Sequence, residues 1–421
     1  MTKAQVTIPL AIPDVRVLKS EINERGELLI SVESTKAETR CRKCGHVLDK
    51  FHGHGEWVTV RYLPVFGMVC YLRYRPRRYQ CLECDQHPTT TEKLDWHQSG
   101  SSNAVAYDRY LLLQLVNSTV EDVSIKEQVS YDNALGALER LIATEVDWLQ
   151  YTHLGTLGLD EIALKKGHRD FVVIVTAQQA NGQVVLLGVL ADRRKQTVAK
   201  FLRSIPERLK STIHTACCDM YEGYLEALSE ELPSVRVVID RFHVTKTYRA
   251  GLDDLRKREM KRLKAQLSEN EYKQLKGSLW AVRKRPEDLN ETQIEVLNLL
   301  FEYSPDLKAA YALREELSAI FDAPISKSVA QTRLQKWIEQ VGASDVKCFD
   351  DFIKTLKRLW EPITNYFVAR KNSAFVEGIN NKIKVLKRRC YGLFNLDHFF
   401  QRLFLDLNGY RLFQSIPPYL A

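Results

Sequence analysis

Two sets of residues in this chain are spaced for chemistry. The first is a pair of two-residue-gapped cysteines, Cys41-Arg-Lys-Cys44 and Cys81-Leu-Glu-Cys84. Each gap puts two thiolates on one tight turn, and two such turns complete a tetrahedral S4 site for Zn2+. The second set is carboxylates in apolar surroundings. In "LGLDEIALKK" (157–166) a β-capable run is interrupted by Asp160 and Glu161. A carboxylate in a central strand is costly unless it is paired or binds a metal. Asp219 closes another apolar run, "ACCDM", and Glu377 lies far downstream in "NSAFVEGINNKIKVLKRR". Three oxygen donors of this kind can hold two Mg2+ (or Mn2+) ions roughly 3.5–4 Å apart, clamping the attacking and leaving oxygens of a phosphodiester.

Other residues compete for these roles. Glu161 faces the side of its strand opposite Asp160, because side chains alternate, and reads as a neighbour or surface residue. Asp240, in "VVIDRFHV", ends a later strand and rivals Asp219, with His243 one turn on. Cys217 and Cys218 read as small buried side chains. His52 and His54 read as surface histidines rather than substitute zinc ligands.

The elements that must position these groups follow from pattern. Residues 1–92 form an N-terminal zinc-finger domain, with its metal site across 41–84. Within it, "EWVTVRYL" and "GMVCYLRYRPRRYQ" read as two strands of a β-ribbon that brings the cysteine pairs together. Residues 100–147 read as helices. There "VEDVSIKEQVSYDNALGALERL" has the layout of a helix-turn-helix. Its first helix is Val120–Gln128, its turn lies at Val129-Ser130, and its second helix is Tyr131–Leu141, with Ser130 as N-cap. Exposed positions of that second helix would enter a major groove.

From residue 155 the pattern becomes β/α. Three strands, "TLGLDEIAL", "DFVVIVTAQQ" and "QVVLLGVLA", are followed by a helix, a fourth strand ending at Asp219, another helix and a fifth strand ending at Asp240. Asn181-Gly182 supplies a hairpin turn between the second and third strands. A mid-strand Asp, a hairpin extension, a strand ending in Asp and a helical Glu follow the order of acids in the ribonuclease H-like fold. Residues 155–250 make the first part of that core, 251–365 a helical insertion, and 366–421 its C-terminal part with the Glu377 helix. Trp280, Trp337 and Trp360 punctuate the insertion and read as core residues.

Arginine crowds the β-ribbon at Arg61, Arg73, Arg75, Arg77 and Arg78, with no acid between residues 60 and 80 and four tyrosines interleaved. The Glu377 helix carries Lys382, Lys384, Lys387, Arg388 and Arg389. Both stretches suit phosphate contacts with nucleic acid. The whole chain of 421 residues has a net charge of +8 and 45% hydrophobic residues, which fits two to four globular domains. No apolar run is long enough for a membrane span, and the N-terminus lacks a secretory pattern. Nine cysteines in such a chain favour metal binding and reduced thiols, hence the cytoplasm.

At these residues the sequence resembles the DDE transposases of the bacterial ISL-three insertion-sequence family. The resemblance runs through "RRYQCLEC", the helix-turn-helix, "LGLDEIALKKG", "DMYEGY", "VIDRFHV" and "VEGINNKIKVLKRRCYG", covering nearly the whole chain. It implies an α/β ribonuclease H-like core with a large helical insertion, preceded by the small β zinc domain and the helix-turn-helix. It also implies that Asp160, Asp219 and Glu377 are the catalytic triad, and it places Asp240 in an Asp-Arg-Phe-His motif. Cys390, before Tyr391-Gly392, stands where a small residue is expected. The expected activity is metal-dependent cleavage at terminal inverted repeats and strand transfer to target DNA, by a nucleoid-associated protein that pairs two ends as a homodimer. A nuclease or resolvase without strand transfer, and a zinc-finger repressor, are the alternatives.

Overall fold

A computed structural model of the chain describes residues 10, 12–163, 171–370, 374–390 and 395–413, without the side chains of Ala369, residues 374–377 and Asn380. Two compact units result: Met1–Glu145 with Val385–Ala421, and Val146–Lys384.

Nine short strands open the first unit: β1 (Val15–Ile22), β2 (Leu28–Ser34), β3 (Thr39–Arg40), β4 (Val47–Leu48), β5 (Phe51–His54), β6 (Val58–Val65), β7 (Met68–Tyr74), β8 (Arg77–Gln80) and β9 (Thr89–Thr91). Their sheets are β1-β2-β7-β6, β3-β4 and β5-β8-β9. The four-stranded sheet alternates cleanly. Ile30, Val32, Val60, Tyr62, Cys70, Leu72 and Tyr74 pack on one face with Trp96 and Ala104, so a one-residue slip would expose them all. Phe66 and Gly67, both at positive φ, form the tight turn between β6 and β7.

The arginine-rich run does not form one strand, as the pattern suggested. It breaks at Arg75-Pro76 into β7 and β8, which belong to different sheets. Proline has no N–H for the ladder, so the chain changes partners there. Hence the β6–β7 hairpin is not the ribbon that joins the cysteine pairs. That role falls to the β3–β4 and β8–β9 hairpins.

Helices α1 (Val105–Leu115), α2 (Val120–Glu127) and α3 (Tyr131–Leu141) follow. Thr119 caps α2 by accepting from Asp122 N at 2.9 Å, and Ser130 caps α3 by accepting from Asn133 N at 3.1 Å. Gln128, left-handed at φ 54°, ends α2. The bounds of α2 and α3 agree with the sequence reading to within one residue.

The second unit holds β10 (Gly155–Ala163), β11 (Phe171–Gln178), β12 (Val184–Leu190), β13 (Ile213–Cys218) and β14 (Arg236–Ile239), in the order β12-β11-β10-β13-β14. β10, β13 and β14 are parallel, and the β10-β11-β12 meander is antiparallel. Gly182, at φ +80°, makes the expected hairpin turn. Helices α4 (Lys195–Ser204), α5 (Glu207–Lys210) and α6 (Glu222–Glu231) link the strands, with Val198, Leu202, Tyr224 and Leu228 buried in the unit's core.

Nine helices continue the unit among the described residues: α7 (Arg241–Gln266), α8 (Glu269–Gln274), α9 (Ser278–Arg283), α10 (Glu291–Tyr303), α11 (Pro305–Asp322), α12 (Lys327–Gly342), α13 (Asp350–Arg358), α14 (Trp360–Thr364) and α15 (Tyr366–Ala369). Trp337 is core, donating its indole N–H to Leu313 O at 2.8 Å, whereas Trp280 is 62% exposed, against the core reading for all three tryptophans.

The chain closes with α16 (Ala374–Arg389) and α17 (Leu396–Asn408). Residues 366–421 were expected to stay with the β/α core, yet Val385–Ala421 groups with the first unit. The reason is packing: Leu405 joins Tyr107, Leu111, Val123 and Leu138 in one cluster. Arg402, 1% exposed, donates to Leu115 O and Ser118 O, and Gln401 donates to Ile142 O.

Candidate active site and metal centre

The four cysteines converge. Two hairpins of the same design carry them. Cys41 N donates to His46 O at 2.8 Å across one turn, and Cys81 N donates to Pro88 O at 2.9 Å across the other. Gly45 at φ +76°, and Gln86 and His87 at φ 64° and 44°, turn the two loops. The sulfurs of Cys41 and Cys84 lie 3.9 Å apart and those of Cys44 and Cys81 3.7 Å apart, with all four within 4.8 Å. A tetrahedron with Zn–S bonds of about 2.3 Å has edges of about 3.8 Å, so the quartet fits zinc. Backbone N–H groups of Cys44 and Lys43 hold the Cys41 thiol down to about 6, favouring the thiolate a metal needs. His52 and His54 are not among the clustered ligands.

The carboxylates gather at the C-terminal edge of the parallel strands. Gly158 of β10 pairs with Cys217 of β13. Continued two residues, that register brings Asp160 level with Asp219 and on the same face. Cys218 pairs with Ile239 of β14, so Asp240 follows beside Asp219. Backbone donors orient two of the carboxylates: Glu161 N reaches Asp160 Oδ1 at 2.7 Å, and Tyr221 N reaches Asp219 Oδ1 at 2.8 Å. Burial pushes the Asp219 carboxyl above its ordinary range and Asp160 adds to this, against the opposing pull of Tyr221 N–H, His243 and Arg193. Asp240 caps α7, accepting from Phe242 N at 3.0 Å. Among the described residues the cysteine quartet is the one cluster of three or more potential metal ligands. Asp160 and Asp219 are neighbours by strand register, and Asp160 is among the groups that raise the Asp219 carboxyl. The Glu377 backbone lies in α16, and its side chain lies outside the described atoms. Tyr391-Gly392 lies outside the described residues.

Glu161 is neither exposed nor idle. Its side chain is 12% exposed. Arg193 Nη1 lies 3.2 Å from both of its oxygens, and the Tyr224 hydroxyl donates to Oε1 at 3.2 Å. Arg193 also stacks on Tyr221, with 4.6 Å to the ring centroid. Burial, with Glu161, Asp219 and Asp160 nearby, pushes the Tyr224 hydroxyl far up, so it stays a donor. Arg193, Tyr221 and Tyr224 escaped the sequence reading. The available signal was "DMYEGY", where a Cβ at Gly223 would sit 2.6 Å from the Tyr221 ring and 3.3 Å from Lys195 N.

The basic residues divide by what they already hold. Arg61 donates to Tyr71 OH and Glu127 O and lies over the Tyr71 and Tyr107 rings, stapling the sheet to α1 and α2. Arg77 donates to Lys36 O and pairs with Glu33 at 3.7 Å. Arg78 donates to Thr89 Oγ1 at 2.7 Å yet remains exposed. Arg73 and Arg75 lie over the exposed Trp57 ring. On α16, Lys382, Lys384 and Arg388 are exposed. Burial pushes the half-buried Lys387 ammonium down, and Arg389 pairs with Asp406 at 3.6 Å.

Two family models match the chain. A family model described as transposase matches residues 157–403, and one described as the zinc-finger of transposase IS204/IS1001/IS1096/IS1165 matches residues 37–84. The chain belongs to the ISL-three family of DDE transposases, and its function is DNA transposition. The transposase for insertion sequence element IS1001 of Bordetella parapertussis is 27% identical over 384 residues, covering 89% of this chain and 90% of its own. The transposase for insertion sequence element IS1557 of Mycobacterium tuberculosis is 23% identical over 425 residues, covering 95% and 93%. Among solved structures, the Drosophila P element transposase strand transfer complex aligns with 75% of this chain and 94% of its own at 10% identity and a TM-score of 0.41, too weak a likeness to assign a fold. No helix of the described residues is long and apolar enough to cross a membrane.

Proposed function

We propose that Asp160, Asp219 and Glu377 are the catalytic acids of a ribonuclease H-like core, holding Mg2+ or Mn2+ for cleavage and joining of DNA ends. The observation that carries this reading is the Asp160–Asp219 pair: two carboxylates level on adjacent parallel strands, one of them raised by burial and by the other. Such a pair is unfavourable alone and favourable around a hard divalent cation, which fits the oxygen donor set. The strand order and the single antiparallel meander support the ribonuclease H-like assignment. When bound, the metal supplies Lewis-acid stabilisation of charge on the reacting phosphodiester. The chain's own work is positional. The Glu161 and Tyr221 N–H groups fix the two aspartates, and the Glu161–Arg193–Tyr224 network holds the surrounding turn.

The zinc module and the α2–α3 helix-turn-helix recognise the terminal inverted repeats, and the basic face of α16 grips backbone phosphates. Synapsis of two ends is the work of a homodimer, acting in the cytoplasm on the nucleoid. The test is to incubate purified protein with DNA carrying its own terminal sequence, Mg2+ and a plasmid target. Joined products are expected. Asp160→Ala, Asp219→Ala and Glu377→Ala each abolish cleavage and keep DNA binding, because removing an anion does not weaken a polyanion's grip. Cleavage without joining would reassign the protein as a nuclease, and binding without nicking as a repressor. If Asp240→Ala abolishes cleavage while Asp219→Ala cuts normally, the second acid is Asp240.

A further inference from the structure

We infer that Trp57, Arg73 and Arg75 form a preorganised phosphate clamp on the outer face of the β1-β2-β7-β6 sheet, which grips the DNA backbone independently of sequence. The inference rests on the DNA-binding reading above and adds a residue, Trp57, and a mechanism to it.

The sheet itself sets up the site. Thr59 of β6 pairs with Arg73 of β7, and Val58 pairs with Tyr74. Side chains alternate, so Val60, Leu72 and Tyr74 turn into the core while Thr59 and Arg73 turn outward. Trp57, one residue before β6, falls on the outward side, diagonal to Arg73 and across from Arg75. A tryptophan there is 48% exposed, an uncommon cost for so large a ring. Its use is visible in its neighbours. The Arg73 guanidinium lies 4.5 Å from the Trp57 ring centroid and that of Arg75 5.8 Å. Arg75 is fixed a second time, donating through Nε to Gly55 O at 3.0 Å.

The contrast with the other arginines of this unit decides the role. Arg77 spends its charge on Glu33, and Arg61 spends its donors on a hydroxyl and a carbonyl. Among the described residues, no carboxylate lies within ion-pair distance of Arg73 or Arg75. Glu33, two residues beyond the Ser31 that pairs with Arg73 on β2, is already held by Arg16 and Arg77. A π face orders a guanidinium without neutralising it. The result is two ordered, uncompensated cations side by side, each with N–H donors left for a ligand. That is the requirement for a phosphodiester, the bidentate partner of guanidinium.

The test uses the full-length protein and two duplexes, one with its terminal sequence and one unrelated. Affinity is measured against salt. Arg73→Ala and Arg75→Ala each lower the slope of log K against log salt by about 0.9, the value for one lost phosphate contact. Trp57→Ala leaves net charge unchanged yet weakens both duplexes equally, roughly three- to tenfold, since it releases the arginines. Trp57→Phe retains most of the affinity. In the Arg73→Ala/Arg75→Ala background, Trp57→Ala has no further effect. Zinc content and melting temperature of each variant report folding. The clamp is overturned if Trp57→Ala binds like the parent. It is equally overturned if the Trp57→Ala loss persists in the double-arginine background, because the ring then touches DNA itself. Absence of salt-dependent binding by the parent protein would instead sink the DNA-binding reading on which this inference rests.

Discussion

Carboxylates and thiolates solve opposite problems in this protein. The four thiolates are gathered by short hairpins whose turns are local, so one metal is expected to hold them regardless of the rest of the chain. The purified protein should carry about one zinc per chain. Cys41→Ser or Cys84→Ser should lose it, as read by elemental analysis, while the second unit keeps its melting transition. Asp160 and Asp219 are instead held against their own repulsion. The Asp219 carboxyl is raised above its ordinary value of 3.8. The folded state therefore binds its proton more tightly than the unfolded state. Its contribution to stability is full below pH 3.8 and is lost as pH rises through the raised folded value. At neutral pH and without added Mg2+, Asp219→Asn should raise the melting temperature, and the gain should fade as the pH drops towards 3.8. An equal gain at every pH would show that charge is not the cause. This is the usual signature of a site kept for function at the expense of stability.

At the scale of elements, capping and turn chemistry do the positioning. Ser130 accepts from Asn133 N at the start of α3, and Asp240 does the same for Phe242 N at the start of α7. Loss of such a cap costs about 1 kcal/mol. Ser130→Ala should lower the stability of the first unit by about that amount in denaturant titrations, and Ser130→Asp should restore it. The two caps differ in consequence. Ser130 tightens the turn between two helices, whereas Asp240 joins the end of β14 to the start of α7.

Across the whole molecule, the chain's last helix returns to its first unit. Arg402 is buried, and its Nη2 donates to Leu115 O and Ser118 O, closing the end of α1 and the turn before α2. Asp406, 3.4 Å away, balances its charge. Removing one partner of a buried ionic contact costs about 3–5 kcal/mol, because the other is left uncompensated. Arg402→Ala should therefore unfold the helical module at far lower denaturant than the parent, and deletion of residues 396–421 should do the same. Unchanged unfolding in both variants would show that α1–α3 stand without α17.

Much of this was legible from sequence by physical rules that act over short range. Ligand spacing marked the cysteine pairs, and Ser130 marked the start of α3. Asn181-Gly182 marked a hairpin. The run-and-interruption pattern around Asp160, with the strand-ending Asp219, marked a carboxylate edge before any strand was paired. What only the tertiary structure decided involves partners far apart in sequence. Strand order and register set Asp160 level with Asp219. Pro76 sent the arginine-rich run into two sheets, a change of partner that hydropathy does not encode. Five arginines of one type divided into staples and uncompensated cations because a carbonyl, a hydroxyl, a carboxylate or a tryptophan happened to face each. The partners of α17 are α1 and α3, some 260 residues upstream, which no local pattern specifies. Local chemistry thus declared which groups this protein owns, and long-range packing decided which of them remain available.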